Sequence, residues 1–193
     1  MNKLIIRFAL PLLLVASGIT MTGCLMIERK EYLFLVREDG SGQGRIMFDN
    51  IASVQESETD QDQATKDYTQ LLNEYIKGKK FEEENPSYMN VKKRLFEKDG
   101  KLHGEVTFEF LSYEDVGLFR LDGVGPWMYH TGVLNGVTVE QLDSSNGTYG
   151  GARMPVIFWK EPTSEFRIVT KVEEPEKGIT RSLLPLYKRI GTN

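Results

Sequence analysis

The stretch that decides the fold reads Tyr32-Leu33-Phe34-Leu35-Val36, then Arg37-Glu38-Asp39-Gly40-Ser41-Gly42, then Gly44-Arg45-Ile46-Met47-Phe48-Asp49. The first run is apolar at odd and even positions alike, as a strand covered on both faces requires, so it reads as a central strand. The middle segment holds Asp-Gly-Ser-Gly, residues that tolerate positive φ and reverse a chain. In the third run Arg45, Met47 and Asp49 alternate with Ile46 and Phe48, the pattern of a returning strand. Together they predict a β-hairpin.

A helix is expected next. Ala64, Tyr68, Leu71, Leu72, Tyr75 and Ile76 form one stripe at a period of 3.6 residues. Thr59 or Asp60 can cap its start, where Glu58 and Asp62 suit the positive end of the dipole. Lys77, Lys79 and Lys80 suit the other end, and Gly78 can terminate it. A second hairpin follows, from Met89–Phe96 through Lys98-Asp99-Gly100-Lys101 to Leu102–Leu111. On its return strand Leu102, Val106, Phe108 and Phe110 share an inward face with Gly104, while His103, Glu105, Thr107 and Glu109 share a polar one. Ser112-Tyr113-Glu114-Asp115 reads as a capping box opening a short turn, with Val116 and Phe119 inward.

From Arg120 to Arg153 glycines punctuate the chain. A small hairpin around Asn135-Gly136, joining Gly132–Leu134 to Val137–Leu142, is the expected regular piece. Met154–Trp159 and Phe166–Val172 predict a last hairpin across Glu161-Pro162-Thr163-Ser164. The fold class is therefore α+β, an antiparallel sheet built from hairpins with one long amphipathic helix packed on a face. Residues 24–172 read as a single domain and 173–193 as a tail that docks in part through Leu183–Tyr187.

Before this domain the chain reads as an export signal. Lys3 and Arg7 give a positive start and Ile5–Ile19 an interrupted apolar core, far short of the roughly 20 residues a spanning helix needs. The segment Ser17-Gly18-Ile19-Thr20-Met21-Thr22-Gly23-Cys24 resembles the lipobox of bacterial lipoproteins, with Met21 where that pattern prefers Leu. The resemblance implies cleavage of residues 1–23 and lipid on Cys24. It also implies a place in the cell envelope, on the outer membrane where the host has one, since Leu25 stands where inner-membrane lipoproteins carry Asp. Cys24 is the single cysteine of the chain, and a lone thiol in an exported protein has no partner within its own chain. Stable anchoring needs more than one acyl chain, at roughly 0.8 kcal/mol per buried methylene. Removal of residues 1–23 leaves 170 of the 193 residues, with 22 basic against 28 acidic, a net charge of −6. That balance argues against nucleic acid and against an electrostatic grip on anionic lipid.

The remaining chemistry is sparse. Two histidines, His103 and His130, cannot build a zinc site with the one cysteine committed to lipid. His103 and Glu105 share a strand's polar face and read as solvated. Gly40-Ser41-Gly42 lacks the following helix that a nucleophile elbow or a phosphate cradle needs. No EF-hand order occurs, and no carboxylate pair stands out. No cofactor is expected. The most site-like segment is Asp122-Gly123-Val124-Gly125-Pro126-Trp127-Met128-Tyr129-His130. Its aromatic cluster, read as a loop, either grips a protein, glycan or lipid or plugs the open end of a sheet. Trp127, Met128, Tyr129 and His130 are the candidate contact residues.

The lipid cysteine, strand, Asp-Gly-Ser-Gly turn and strand, followed by Val106-Thr107-Phe108-Glu109-Phe110 and Ser112-Tyr113-Glu114-Asp115, resemble the LppM-like envelope lipoproteins of unassigned role. The likeness covers the first half of the mature domain. It implies a curved antiparallel sheet and binding of lipid or another envelope component, and it brings no catalytic residues. Two function classes stay open. One is a non-catalytic, lipid-anchored lipoprotein that binds a protein partner or an apolar ligand between sheet and helix. The other is a surface-anchored hydrolase of envelope polysaccharide or peptide. A closed apolar cavity supports the first, and close carboxylates or an acid bonded to His130 support the second.

Overall fold

A computed structural model describes residues 25–55, 61–131, 140–172 and 179–191. Cys24 with the signal segment, the Thr59 and Asp60 caps, and nearly all of the hairpin expected around Asn135-Gly136 lie outside them. The opening hairpin is β1 (Leu25–Val36) and β2 (Gly42–Gln55). Its turn closes through Arg37 N donating to Ser41 O at 2.7 Å, with Asp39 Oδ1 accepting from Ser41 N and Gly40 at φ 84. Gly42 and Gly44 sit opposite Phe110 and Phe108 on the next strand. A Cβ on Gly44 would fall 2.2 Å from the Phe108 ring, so the glycines give the rings their seat.

The expected long helix is not one element. Chain 61–84 forms α1 (Gln61–Gln70), a π-helical turn (Leu71–Ile76) and, past a bend, α2 (Lys80–Glu84). The apolar stripe explains the change. Leu71 and Leu72 are adjacent and both buried, and the wider turn, in which Lys77 N donates to Leu72 O, brings such neighbours nearer to one face. Gly78 then lets the chain fold back, since a Cβ there would meet Asn73 O at 2.4 Å and Glu74 O at 2.5 Å.

The second hairpin is β3 (Met89–Lys98) and β4 (Lys101–Phe110), turning at Asp99 and Gly100 with both φ positive. The capping box at Ser112 opens a 3₁₀ turn over Tyr113–Val116. Val116 is buried, but the inward residue after it is Leu118, and Phe119 is 38% exposed. β5 (Leu118–Phe119) comes next, and the Gly-rich segment, its aromatic cluster expected on a loop, contributes β6 (Trp127–His130), β7 (Gln141–Ser145) and β8 (Thr148–Tyr149).

The last expected hairpin does not form. β9 (Val156–Trp159) pairs with β6 and β8, whereas β10 (Glu165–Lys171) pairs with β1 and β7. The Glu161–Ser164 connection thus carries the chain from one sheet to another. In the tail, β11 (Ile179–Ser182) pairs with the far end of β2, and α3 (Leu184–Ile190) follows with Pro185 in its first turn.

Among the described residues the main sheet is antiparallel and seven-stranded, ordered β3-β4-β2-β1-β10-β7 with β11 on β2 beyond β4. The second has four strands, β5-β6-β9-β8. β1 is central in the main sheet, between β2 and β10. Phe34, Phe166 and Ile168 of the main sheet pack with Leu118, Trp127, Ile157 and Trp159 of the small one. Towards the beginning of β1 the same sheet is covered instead by helix. Ile27, Ile51, Leu95 and Leu102 meet Ala64, Tyr68, Leu71, Leu72, Leu183 and Leu184. No helix among the described residues is long and apolar enough to cross a membrane.

Candidate functional site

The β1–β2 ribbon changes face at Glu28 and Asn50. Asn50 takes φ 54 and its side-chain amide donates to Glu28 Oε2 at 2.7 Å. Strand alternation would put Leu25 and Ile27 on the face opposite Lys30 and Tyr32. Across the kink all four turn to the same side, as do Ile46, Phe48 and Ile51 of β2. A concave sheet face results. Over it lie Leu71, Tyr75 and Ile76 of the π-helical turn, Phe81 and Glu84 of α2, and Tyr88 beyond. Sheet and helix do not close completely, and an apolar cavity of about 180 Å³ remains between them.

Gly104 on β4 keeps that space open. It stands in register with Phe48 and Leu95, on the inward face between Leu102 and Val106. A Cβ there would come 3.1 Å from Ile51 Cδ1, 3.6 Å from Leu95 and 3.7 Å from Phe48, all three residues of the cavity wall.

The charged groups of the rim are matched in pairs. Lys93, with its side chain 9% exposed, donates to Gly78 O at 2.7 Å and to both oxygens of Glu82 at 2.9 and 2.7 Å, tying the helical layer to β3. Tyr75 donates to Glu84 at 3.3 Å, while Arg94 bonds Glu105 on the opposite, outward face of the sheet. At the other end Lys30 bonds Glu140, which also accepts from Tyr32 at 3.2 Å and from Thr170 at 2.6 Å.

Burial pushes the Glu140 carboxyl up, but the adjacent Lys30 charge and these hydrogen bonds outweigh it and hold Glu140 below its ordinary 4.5. Burial, with the Glu140 charge as a further cause, raises the Tyr32 phenol well above its ordinary 10.0 and the Tyr129 phenol to about 12. Tyr88, stacked on Phe108 at 3.8 Å between ring centres, is raised by burial to about 12. This end of the cavity therefore offers neutral phenols and one compensated ion pair at neutral pH.

The four aromatic-segment candidates are not gathered on a loop. They alternate along β6. Trp127 is 7% exposed and sits between Tyr113 and Phe166, each edge-on at 4.9 and 5.2 Å, with the Arg120 guanidinium 4.7 Å from its ring. It helps hold the two sheets together. Met128 is half-buried and His130 exposed, and among the described residues no acid bonds His130. Tyr129 alone reaches the region of Glu140. His103, expected to be solvated, is 7% exposed, 3.0 Å from Asp49 Oδ1 and 3.2 Å from Lys98 O, and stacked on Phe96. Among the described residues no group of three or more His, Cys, Asp or Glu is arranged to hold a metal ion.

Sequence reading missed Lys30, Glu140 and Gly104. Lys30 was hidden in the charged run Glu28–Glu31, because the face change at Glu28 has no local signature. Gly104 did carry a signal. A glycine on an otherwise large, apolar inward face, without a positive φ to explain it, marks a void or a close approach. Comparison of the chain with protein-family models, curated proteins and solved structures gives no match.

Proposed function

We propose that this protein is a non-catalytic lipoprotein of the cell envelope, held to a membrane by lipid on Cys24, that binds an apolar ligand between its sheet and its helical layer. The observation that carries this reading is the apolar cavity under the π-helical turn. Interiors normally close-pack, and a void left in one forfeits dispersion contacts. A cavity with an apolar body and a few polar groups at its rim is the usual form of a small-ligand site. The paired rim favours binding over chemistry, because Lys30 and Lys93 are each matched by an acid.

The test is to extract the protein gently from membranes and identify co-purifying small molecules by mass spectrometry. Wild type should carry an apolar molecule that a Val106→Trp variant, its cavity filled, does not. Equal recovery from both, or none from either, would sink the proposal.

A further inference from the structure

We infer that the cavity takes the end of one neutral, unbranched hydrocarbon chain, about seven carbons deep, and that Gly104 sets this depth. The inference rests on the reading of the cavity as a ligand site. Three observations lead to it. The first is size. An apolar void of about 150 Å³ takes a benzene-sized guest of six carbons, so 180 Å³ takes little more. Pockets that enclose a whole drug-sized ligand start at about 300 Å³. The rest of a longer ligand must stay outside.

The second is lining. A wall of branched aliphatic side chains suits a flexible saturated chain, which adjusts to an irregular surface, better than a rigid ring system. Eight of the cavity's lining residues are aliphatic: Leu25, Ile27, Ile46, Ile51, Leu71, Ile76, Leu95 and Val106.

The third is charge. The cations that face the rim each have an acid already: Lys30 has Glu140 and Lys93 has Glu82. A carboxylate or phosphate head would have to break one of these pairs and strand its acid, which penalises anionic ligands. A hydroxyl or ester head breaks none of them. The ligand class is thus a neutral single-chain amphiphile such as a fatty alcohol or a monoacyl glyceride.

Gly104 is the specificity-determining position because it lines the cavity and its missing Cβ leaves room for three side chains of the wall, Ile51, Leu95 and Phe48. Alanine would press its Cβ on Ile51 Cδ1 at 3.1 Å, and a larger residue would occupy the space between Ile51, Leu95 and Phe48.

The experiment titrates the whole chain, held in phospholipid nanodiscs, with n-alkanols from butanol to dodecanol. Occupancy is read from the methyl NMR signals of Ile51 and Leu95, against free aqueous alkanol. Each added methylene should tighten binding about fourfold, up to about seven carbons, after which affinity should level off. The alkanoate of the same length should bind no tighter than the alkanol. Gly104→Ala should move the plateau about one carbon shorter, and Val106→Ala, which enlarges the cavity, should move it longer. Gly104→Leu should abolish binding, and the methyl spectrum reports whether that variant is folded. Affinity that keeps rising to dodecanol, tighter alkanoate binding, or a plateau unmoved in Gly104→Ala and Val106→Ala would overturn the inference while leaving a ligand cavity in place. No methyl shift with any alkanol would overturn the ligand reading as well.

Discussion

Glu140 shows how one residue can join sheet, cavity and pH response. Its carboxylate takes hydrogen bonds from Lys30, Tyr32 and Thr170, and both ion-pair side chains are more than four-fifths buried. Glu140→Gln should cost about 2 kcal/mol at neutral pH, mostly because Lys30 is left charged and unmatched. The carboxyl ionises at a lower pH in the folded protein than in the unfolded chain. Its stabilisation is therefore complete above the ordinary 4.5 and is lost as pH falls through the lower, folded value. Urea melts between about pH 5 and about pH 3 should show wild type losing stability more steeply than Glu140→Gln. Parallel slopes would show that Glu140 adds nothing to acid sensitivity. Other depressed acids, such as Glu31 beside Arg167, are common to both proteins and cancel in the comparison. Residues of this kind are hard to read from sequence. Alternation assigned His103 to the outward side of β4, but its burial comes from Phe96 and Asp49 on neighbouring strands.

Among the elements, the π-helical turn decides whether the cavity has a roof. It ends where Gly78 lets the chain double back against Asn73 O and Glu74 O, and Lys93 fastens that corner to β3. Gly78→Ala would drive a Cβ into two backbone oxygens that have no rotamer with which to yield. It should cost about 2 kcal/mol and lower Tm by about 6 °C, read by thermal unfolding. An unchanged Tm would mean that the corner is not packed as described. The same variant should weaken apolar-ligand binding, because Tyr75 and Ile76 of the roof lie just before the corner. Elements whose partner is near in sequence were legible. β1 with β2, and β3 with β4, announce themselves by alternation around Asp-Gly turns. The Ser112 capping box is equally local. β9 and β10 failed as a hairpin because β10 finds its neighbour in β1, over a hundred residues earlier, and nothing in the Glu161–Ser164 turn records that choice. The helical stripe gave the right face and the wrong continuity. Periodicity sees which residues point inward, but not that a paired Leu71-Leu72 and a glycine corner will loosen the helix.

For the whole molecule, the governing relation is between the proposed anchor and the cavity. Leu25 directly follows Cys24, and it both opens β1 and lines the cavity wall. A lipid on Cys24 would therefore hold the beginning of β1, and the cavity beside it, against the bilayer with no linker between. Such a placement suits a site that takes one chain end from a membrane surface, because a hydrocarbon tail need not cross water to enter. The net charge of −6 expected for the mature chain gives no electrostatic hold on anionic lipid. Attachment should then be indifferent to salt, whereas a charge-held protein would detach once screening shortens the Debye length to about 3 Å near 1 M. Cells fed radiolabelled fatty acid should yield a labelled wild-type band that stays with the membrane pellet through a high-salt wash. Cys24→Ala should carry no label. Label retained in that variant would refute acylation at Cys24. Wild type released by salt would show that the domain is held by its surface, and the argument that places the cavity at the bilayer would fall with it.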